Sequence, residues 1–140
     1  MKELLVSVEA NASEEDRVTV QTHLAKFVIE KAGKSDFIPL NVFLRDPTGG
    51  IHGGLLGWTV WSWLHIDTLW VSEEFRLLGY GRRILKAAER AARLRGCKLV
   101  DVDTFDFQAR GFYEKAGYEV FGKLENINGA FTRFYMSKKI

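Results

Sequence analysis

Residues 71–96 read VSEEFRLLGYGRRILKAAERAARLRG, and within them an apolar strand turns into a charged, alanine-rich helix. The strand ends at Val71. A loop then carries Arg76, Gly79 and Gly81, and the helix opens at once. Ile84, Leu85, Ala88, Ala91, Ala92 and Leu94 fall in one broad apolar stripe, while Arg82, Arg83, Lys86, Glu89, Arg90 and Arg93 take the remainder. Gly96 supplies the stop. Glycines let successive backbone N–H groups point one way, and a helix N-terminus adds about half a positive charge, so the junction suits an anion. Arg82 and Arg83 stand at the unfavourable end of the dipole, a penalty of a few tenths of a kcal/mol that a phosphate-bearing ligand would reverse. A tight strand-to-helix turn that merely needs glycine is the other reading, and spacing alone leaves both open.

Working outward, residues 65–72 (HIDTLWVS) form the strand before the loop, and residues 97–105 (CKLVDVDTF) form the strand after the helix. A strand reached through a helix is expected to lie parallel to the one before it. Upstream, 40–46 and 51–63 read as strands joined by the turn Pro47-Thr48-Gly49-Gly50. Residues 3–9, ELLVSVE, suit a first strand. Ser13 followed by Glu14, Glu15 and Asp16 starts a helix whose apolar period runs through Val20, Leu24, Phe27 and Val28 to Gly33. Downstream, a helix over 107–116 stops at Gly117, and strands at 118–124 and 131–138 flank the turn NING.

The 140 residues, 46% of them hydrophobic, suit one domain over 1–140 with a core that needs no staples. A single cysteine, Cys97, excludes an internal disulfide and a thiolate metal cluster, and three scattered His argue against any metal site. Twenty basic residues against eighteen acidic ones are near balance, which speaks against a nucleic-acid partner held by bulk charge. The opening MKELLVSVEANASEED turns acidic within nine residues, so no signal peptide is expected. No run reaches the roughly 20 apolar residues of a membrane span. A cytoplasmic protein with no membrane partner is the expectation.

Arg76, Gly79 and Gly81 also fit the pattern Gln/Arg-x-x-Gly-x-Gly/Ala, and one strand later Phe112-Tyr113-Glu114-Lys115-Ala116-Gly117-Tyr118 fits Phe-Tyr-x-x-x-Gly-Phe/Tyr. Together the two segments resemble the coenzyme A loop and second signature of the GNAT superfamily of N-acetyltransferases, closely over about residues 50–122. The resemblance implies an α/β (α+β) fold: a mixed, mostly antiparallel sheet of six or seven strands, helices on both faces, and a splayed parallel pair that holds the cofactor. It implies acetyl-CoA as that cofactor. Arg76 and the amides of Leu77, Leu78, Gly79, Tyr80, Gly81 and Arg82 would cradle its pyrophosphate, and the pantetheine arm would run along Leu69, Trp70 and Val71. A backbone N–H near Val71 would polarise the thioester carbonyl. Tyr113 matches the tyrosine that protonates the leaving thiolate. Many members carry Asn seven residues before that Tyr, and this chain has Asp106. The implied reaction moves an acetyl group directly to a primary amine of a small molecule or peptide. A homodimer is a further expectation from the superfamily. Two other readings stand beside it: a non-catalytic acyl-CoA-binding or regulatory module, and a nucleic-acid adaptor using the basic helix 82–95.

Direct transfer needs a group to take a proton from the acceptor amine. Asp67 is named as catalytic base because its strand borders the cofactor. Glu73 and Glu74 at the loop edge, and Asp101 and Asp103 on one face of the next strand, are the other carboxylates. Structural pairing with Arg is the commoner use of acids placed like Asp101 and Asp103, and a solvated edge that of Glu73 and Glu74. His65 opens a strand near the site, whereas His23 and His52 lie on a helix and a turn. Trp58, Trp61, Trp63 and Trp70 read as core or interface, and Cys97 as a buried thiol.

Overall fold

The computed structural model describes residues 2–140, and the chain divides into two compact units, one ending at Ser35 and one spanning Asp36–Ile140. The first holds helix α1, Glu14–Ala32. Ser13 caps it as its sequence predicts, the hydroxyl accepting the Asp16 N–H at 3.1 Å, and Gly33 closes it at φ 89°. The strand expected over 3–9 is not formed. A strand exists only through a partner's ladder, and these residues pair with none among those described; Leu4, Leu5, Val6 and Val8 stand exposed. No helix among the described residues is long and apolar enough to cross a membrane.

The second unit runs β1 (Ile38–Arg45), β2 (Ile51–Val60), β3 (Trp63–Val71), a 3-10 turn (Glu73–Phe75), α2 (Tyr80–Leu94), β4 (Leu99–Phe105), α3 (Arg110–Lys115), β5 (Glu119–Ile127) and β6 (Phe131–Lys139). These strands make one six-stranded sheet in the order β1-β2-β3-β4-β6-β5. Every neighbouring pair is antiparallel except β3 and β4, the two ends of the crossover through α2. Alternation places Leu55, Leu64, Ile66, Val100, Val102 and Met136 in one core with Ile84, Leu85, Ala88 and Ala92 of α2 and with Tyr113 and Tyr118. Each large aliphatic side chain so buried contributes about 1.5–3 kcal/mol.

Two details depart from the expected pattern for clear reasons. β2 stops at Val60 because Trp61 and Ser62 form a two-residue turn with φ 44° and 67°. Such a turn ordinarily calls for Asn, Asp or Gly, so the pattern of residues runs on as strand. Here Asp36 holds it, its Oδ1 accepting the Trp61 N–H at 2.7 Å. Glu89, grouped with the polar face of α2, is 3% exposed and accepts hydrogen bonds from Tyr118 Oη at 2.7 Å and from Lys138 Nζ at 3.1 Å. It lies four residues after Leu85 and three before Ala92, on the apolar stripe, so helical spacing already placed it inward.

The register between β2 and β3 slips by one residue, with Leu56 opposite Thr68 and Gly57 opposite Ile66. Asp67 is therefore the extra residue of a bulge. A Cβ at Gly57 would lie 2.3 Å from the His65 carbonyl oxygen, so only glycine permits this approach. We expect Gly57→Ala to cost about 1–3 kcal/mol through forced backbone movement, read as a lowered denaturant midpoint. An unchanged midpoint would mean that the bulge yields freely.

Candidate active site

The bulge has a consequence on the other edge of β3. Pairing between β3 and β4 runs only over Trp63–Ile66 and Leu99–Val102. Beyond it, β3 stays with β2 up to Val71 and β4 stays with β6 up to Phe105. From Asp67 and Asp103 onward the two strands diverge, because a bulge bends and over-twists its strand. Leu69, Trp70 and Val71 thus border a cleft in the middle of the sheet, with an edge unpaired toward β4.

The glycine loop follows at the end of β3. Arg76 Nε donates to the Val71 carbonyl at 2.9 Å, so that side chain folds the loop back on the strand. Leu77 holds φ 61° with its side chain fully in solvent, at 103% exposure, and Leu78 is also exposed. A non-glycine in the left-handed region costs about 1–2 kcal/mol, the kind of strain that collects at functional loops. Gly79, at φ 88°, is the N-cap of α2 and offers no side-chain cap, and no acid stands in the first turn. The first helical bond runs from the Arg83 N–H to the Gly79 carbonyl, which leaves the amides of Tyr80, Gly81 and Arg82 without intrahelical partners. Arg82 is exposed, and the Arg83 guanidinium stacks over Tyr80 at 5.3 Å. Gly81 packs on Phe112, where a Cβ would meet the ring at an ordinary 3.5 Å, so the second segment braces the first turn of α2. Ser72 Oγ, between cleft and loop, is buried without a partner among the described residues. No sequence signal marked it.

Tyr113 on α3 is 4% exposed, packed against Phe112 and Tyr118. Its hydroxyl makes no hydrogen bond among the described residues. Burial first, and the Asp103 carboxylate second, push its pKa well above the ordinary tyrosine value. The second cause sets it within electrostatic reach of the point where β4 leaves β3. Asp106, in place of the common Asn, is occupied: its Oδ2 accepts the Thr132 N–H at 3.0 Å while its own N–H bonds the Thr132 carbonyl.

The carboxylates separate by use. Asp67 is exposed at the fork of the cleft, and its Oδ2 accepts from Thr68 Oγ1 at 3.4 Å. Glu73 and Glu74 are exposed beside the loop, Glu74 lying 3.9 Å from His52 Nδ1. His52 bonds Asp46 at 2.6 Å, which ties the β1–β2 turn to the loop and makes it structural. Asp103 is paired with Arg133 at 2.8 Å. Asp101 instead accepts from Trp63 Nε1 at 2.5 Å and bonds His65 Nδ1 at 2.9 Å, and the Trp58 ring lies tilted against that imidazole with centroids 4.6 Å apart. His23 lies on α1, in the first unit. Trp61 and Trp70 are half exposed, and Cys97 is buried, which pushes its thiol pKa up. The glycine loop, the unpaired end of β3 and Asp67 therefore lie at one end of the β3–β4 fork, and Tyr113 is within electrostatic reach of it through Asp103.

The acetyltransferase (GNAT) family profile matches residues 10–118. The chain is 39% identical over 106 residues to a blasticidin-S acetyltransferase of Streptomyces morookaense, covering 73% of this chain and 78% of the relative. It is 30% identical over 128 residues to an acetyltransferase of Agrobacterium fabrum, covering 91% and 93% of the two chains. A crystal structure of an acetyltransferase from Agrobacterium tumefaciens superposes over 100% of both chains with a TM-score of 0.87 and 29% identity. An aminoglycoside 6′-N-acetyltransferase complexed with coenzyme A shares the fold at a TM-score of 0.65 and 20% identity, over 72% of each chain. Profile, relatives and fold agree with the cleft and its glycine loop that this chain is an acyltransferase and belongs to the GNAT family of acetyltransferases.

Proposed function

We propose that this protein moves an acetyl group from acetyl-CoA to a primary amine of a small molecule or peptide within one domain spanning 1–140. The observation that carries the reading is the uncapped N-terminus of α2, presented by a strained glycine loop at the mouth of the β3–β4 cleft. The residues fit the cofactor. Free amides at 80–82 and the helix dipole suit a pyrophosphate; the unpaired edge of β3 suits the amides of pantetheine; Ser72 Oγ is a buried hydroxyl still wanting a partner. The acetyltransferase named for blasticidin S supports a small-molecule acceptor.

When bound, acetyl-CoA supplies an activated thioester. The amides of Leu77, Leu78, Gly79, Tyr80, Gly81 and Arg82 bind the anionic end, with Arg76 shaping the loop. Leu69, Trp70 and Val71 orient the arm, and a main-chain N–H near Val71 meets the charge that develops on the carbonyl oxygen. Asp67 would take the first proton that the acceptor ammonium loses, the C–N bond would form as the C–S bond breaks, Tyr113 Oη would give its proton to the departing sulfur, and the second proton leaving the nitrogen as the amide forms would return to the Tyr113 oxygen. The raised pKa keeps that hydroxyl protonated throughout the neutral range.

Steady-state assays that follow thiol release across an amine panel, with mass detection of the acetylated product, test the proposal. Asp67→Asn should lower kcat/KM by about 10²-fold or more, most strongly near neutral pH, with acetyl-CoA affinity retained. An unaltered pH–rate profile would move the base elsewhere.

A further inference from the structure

We infer that the sheet face turned away from α2 carries a second binding site, centred on Asp101, for an ammonium or guanidinium group of the acceptor other than the amine that reacts. Its ligand is named on the strength of the function proposed above, but the site stands on its own geometry. Along β3 and β4, Leu64, Ile66, Val100 and Val102 enter the core, so Trp63, His65, Leu99 and Asp101 project from the opposite face. There Trp63, Leu99, Asp101, Phe121 and Ser137 line a cavity of about 340 Å³.

Charge decides what the cavity takes. Of the two acids on this face of β4, Asp103 is neutralised by Arg133, whereas Asp101 has no Lys or Arg partner among the described residues. Trp63 and His65 both engage Oδ1 of Asp101, and Oδ2 is left without a hydrogen bond among the described residues. The side chain is 21% exposed, and Oδ2 is the carboxylate oxygen left open to a ligand. Around it, Glu119 stands opposite Ser137, and Lys139, exposed and in no ion pair among the described residues, stands opposite Leu99. Asp101 and Glu119 thus put two carboxylates on this face beside the one ammonium of Lys139.

The walls suit the same ligand. A cation over an aromatic face gains about 0.5–2 kcal/mol, and the aromatic side chains of Trp63 and Phe121 line this cavity. Phe121 is the residue left over where the β5–β6 register slips between Val120 and Gly122, and a bulge of this kind re-aims a side chain. Asp101 lies two residues before Asp103, where the cleft opens, a distance of roughly 7 Å by strand rise. The site therefore fits an acceptor with two basic groups separated by about that span.

The test uses the whole protein without acetyl-CoA and reads the Trp63 indole N–H resonance, assigned with Trp63→Phe, as butylguanidinium or its neutral analogue butylurea is added to concentrations on the order of 10 mM. Butylguanidinium should shift that resonance saturably and butylurea should not. Asp101→Asn should weaken the binding about 10-fold or more. Phe121→Ala, at a position 62% exposed and so harmless to folding, should weaken it several-fold. No shift, as when Lys139 fills the cavity, an equal shift with butylurea, or unchanged affinity in both variants would each overturn the site. Acetyl-CoA affinity measured on the same samples separates the two ideas: its absence in the unmodified protein defeats the acetyl-transfer reading alone.

Discussion

Gly79→Glu should lower acetyl-CoA affinity by about 10³-fold while leaving the protein folded. Gly79 sits at φ 88° as the N-cap of α2, and a Cβ added there meets nothing within 4 Å. The substitution therefore has room, and its cost is the left-handed conformation, about 1–2 kcal/mol, or some 3–8 °C in Tm for a chain of this length. Function suffers far more. The new carboxylate would stand beside the amides of 80–82 proposed to hold the pyrophosphate, and a like charge set against that group costs several kcal/mol, which is about three decades of affinity. Gly79→Ala separates the causes: it imposes the strain without the charge and should lose about 10-fold. Full affinity in the Glu variant would place the cofactor elsewhere.

Tyr113→Phe should cut turnover by about 10²-fold or more and change acetyl-CoA affinity by no more than about twofold. The substitution removes one oxygen and keeps the ring packed against Phe112 and Tyr118. That oxygen makes no bond within the protein among the described residues, so its loss leaves nothing stranded. The sign of its titration helps to isolate the effect. Burial raises the folded pKa above the unfolded value near 10, so the stability tied to the protonated hydroxyl is fully present below pH 10 and is lost as pH rises beyond it. Tyr118, raised by burial and by Glu89, behaves alike. Near neutral pH neither group titrates, and a rate loss in Tyr113→Phe reports the missing proton donor. Turnover within threefold of the unmodified protein would remove Tyr113 from the mechanism.

The parts legible from residues alone were those set by local chemistry. The βαβ crossover followed from helical period and glycine placement, and the loop from Arg76, Gly79 and Gly81. The alternation around Asp101 and Asp103 put both on one face. What escaped depends on partners far along the chain. The Trp61-Ser62 turn owes its shape to Asp36. The fork of the sheet comes from a register slip that Gly57 permits, which no periodicity reveals. Asp101 and Asp103 look alike in the string, and only the pairing of β4 with β6 gives Arg133 to one, while the pairing of β4 with β3 gives Trp63 and His65 to the other. Residues 3–9 have a strand's composition but lack a partner, and composition does not make a ladder.

Calorimetric titration of the unmodified protein with acetyl-CoA, with ATP and NAD as controls, tests whether the glycine loop and cleft hold this cofactor. Acetyl-CoA should bind saturably with Kd on the order of micromolar, and neither control comparably. Absence of acetyl-CoA binding, or equal binding of all three, would contradict this reading and leave the glycine loop as a turn and nothing more.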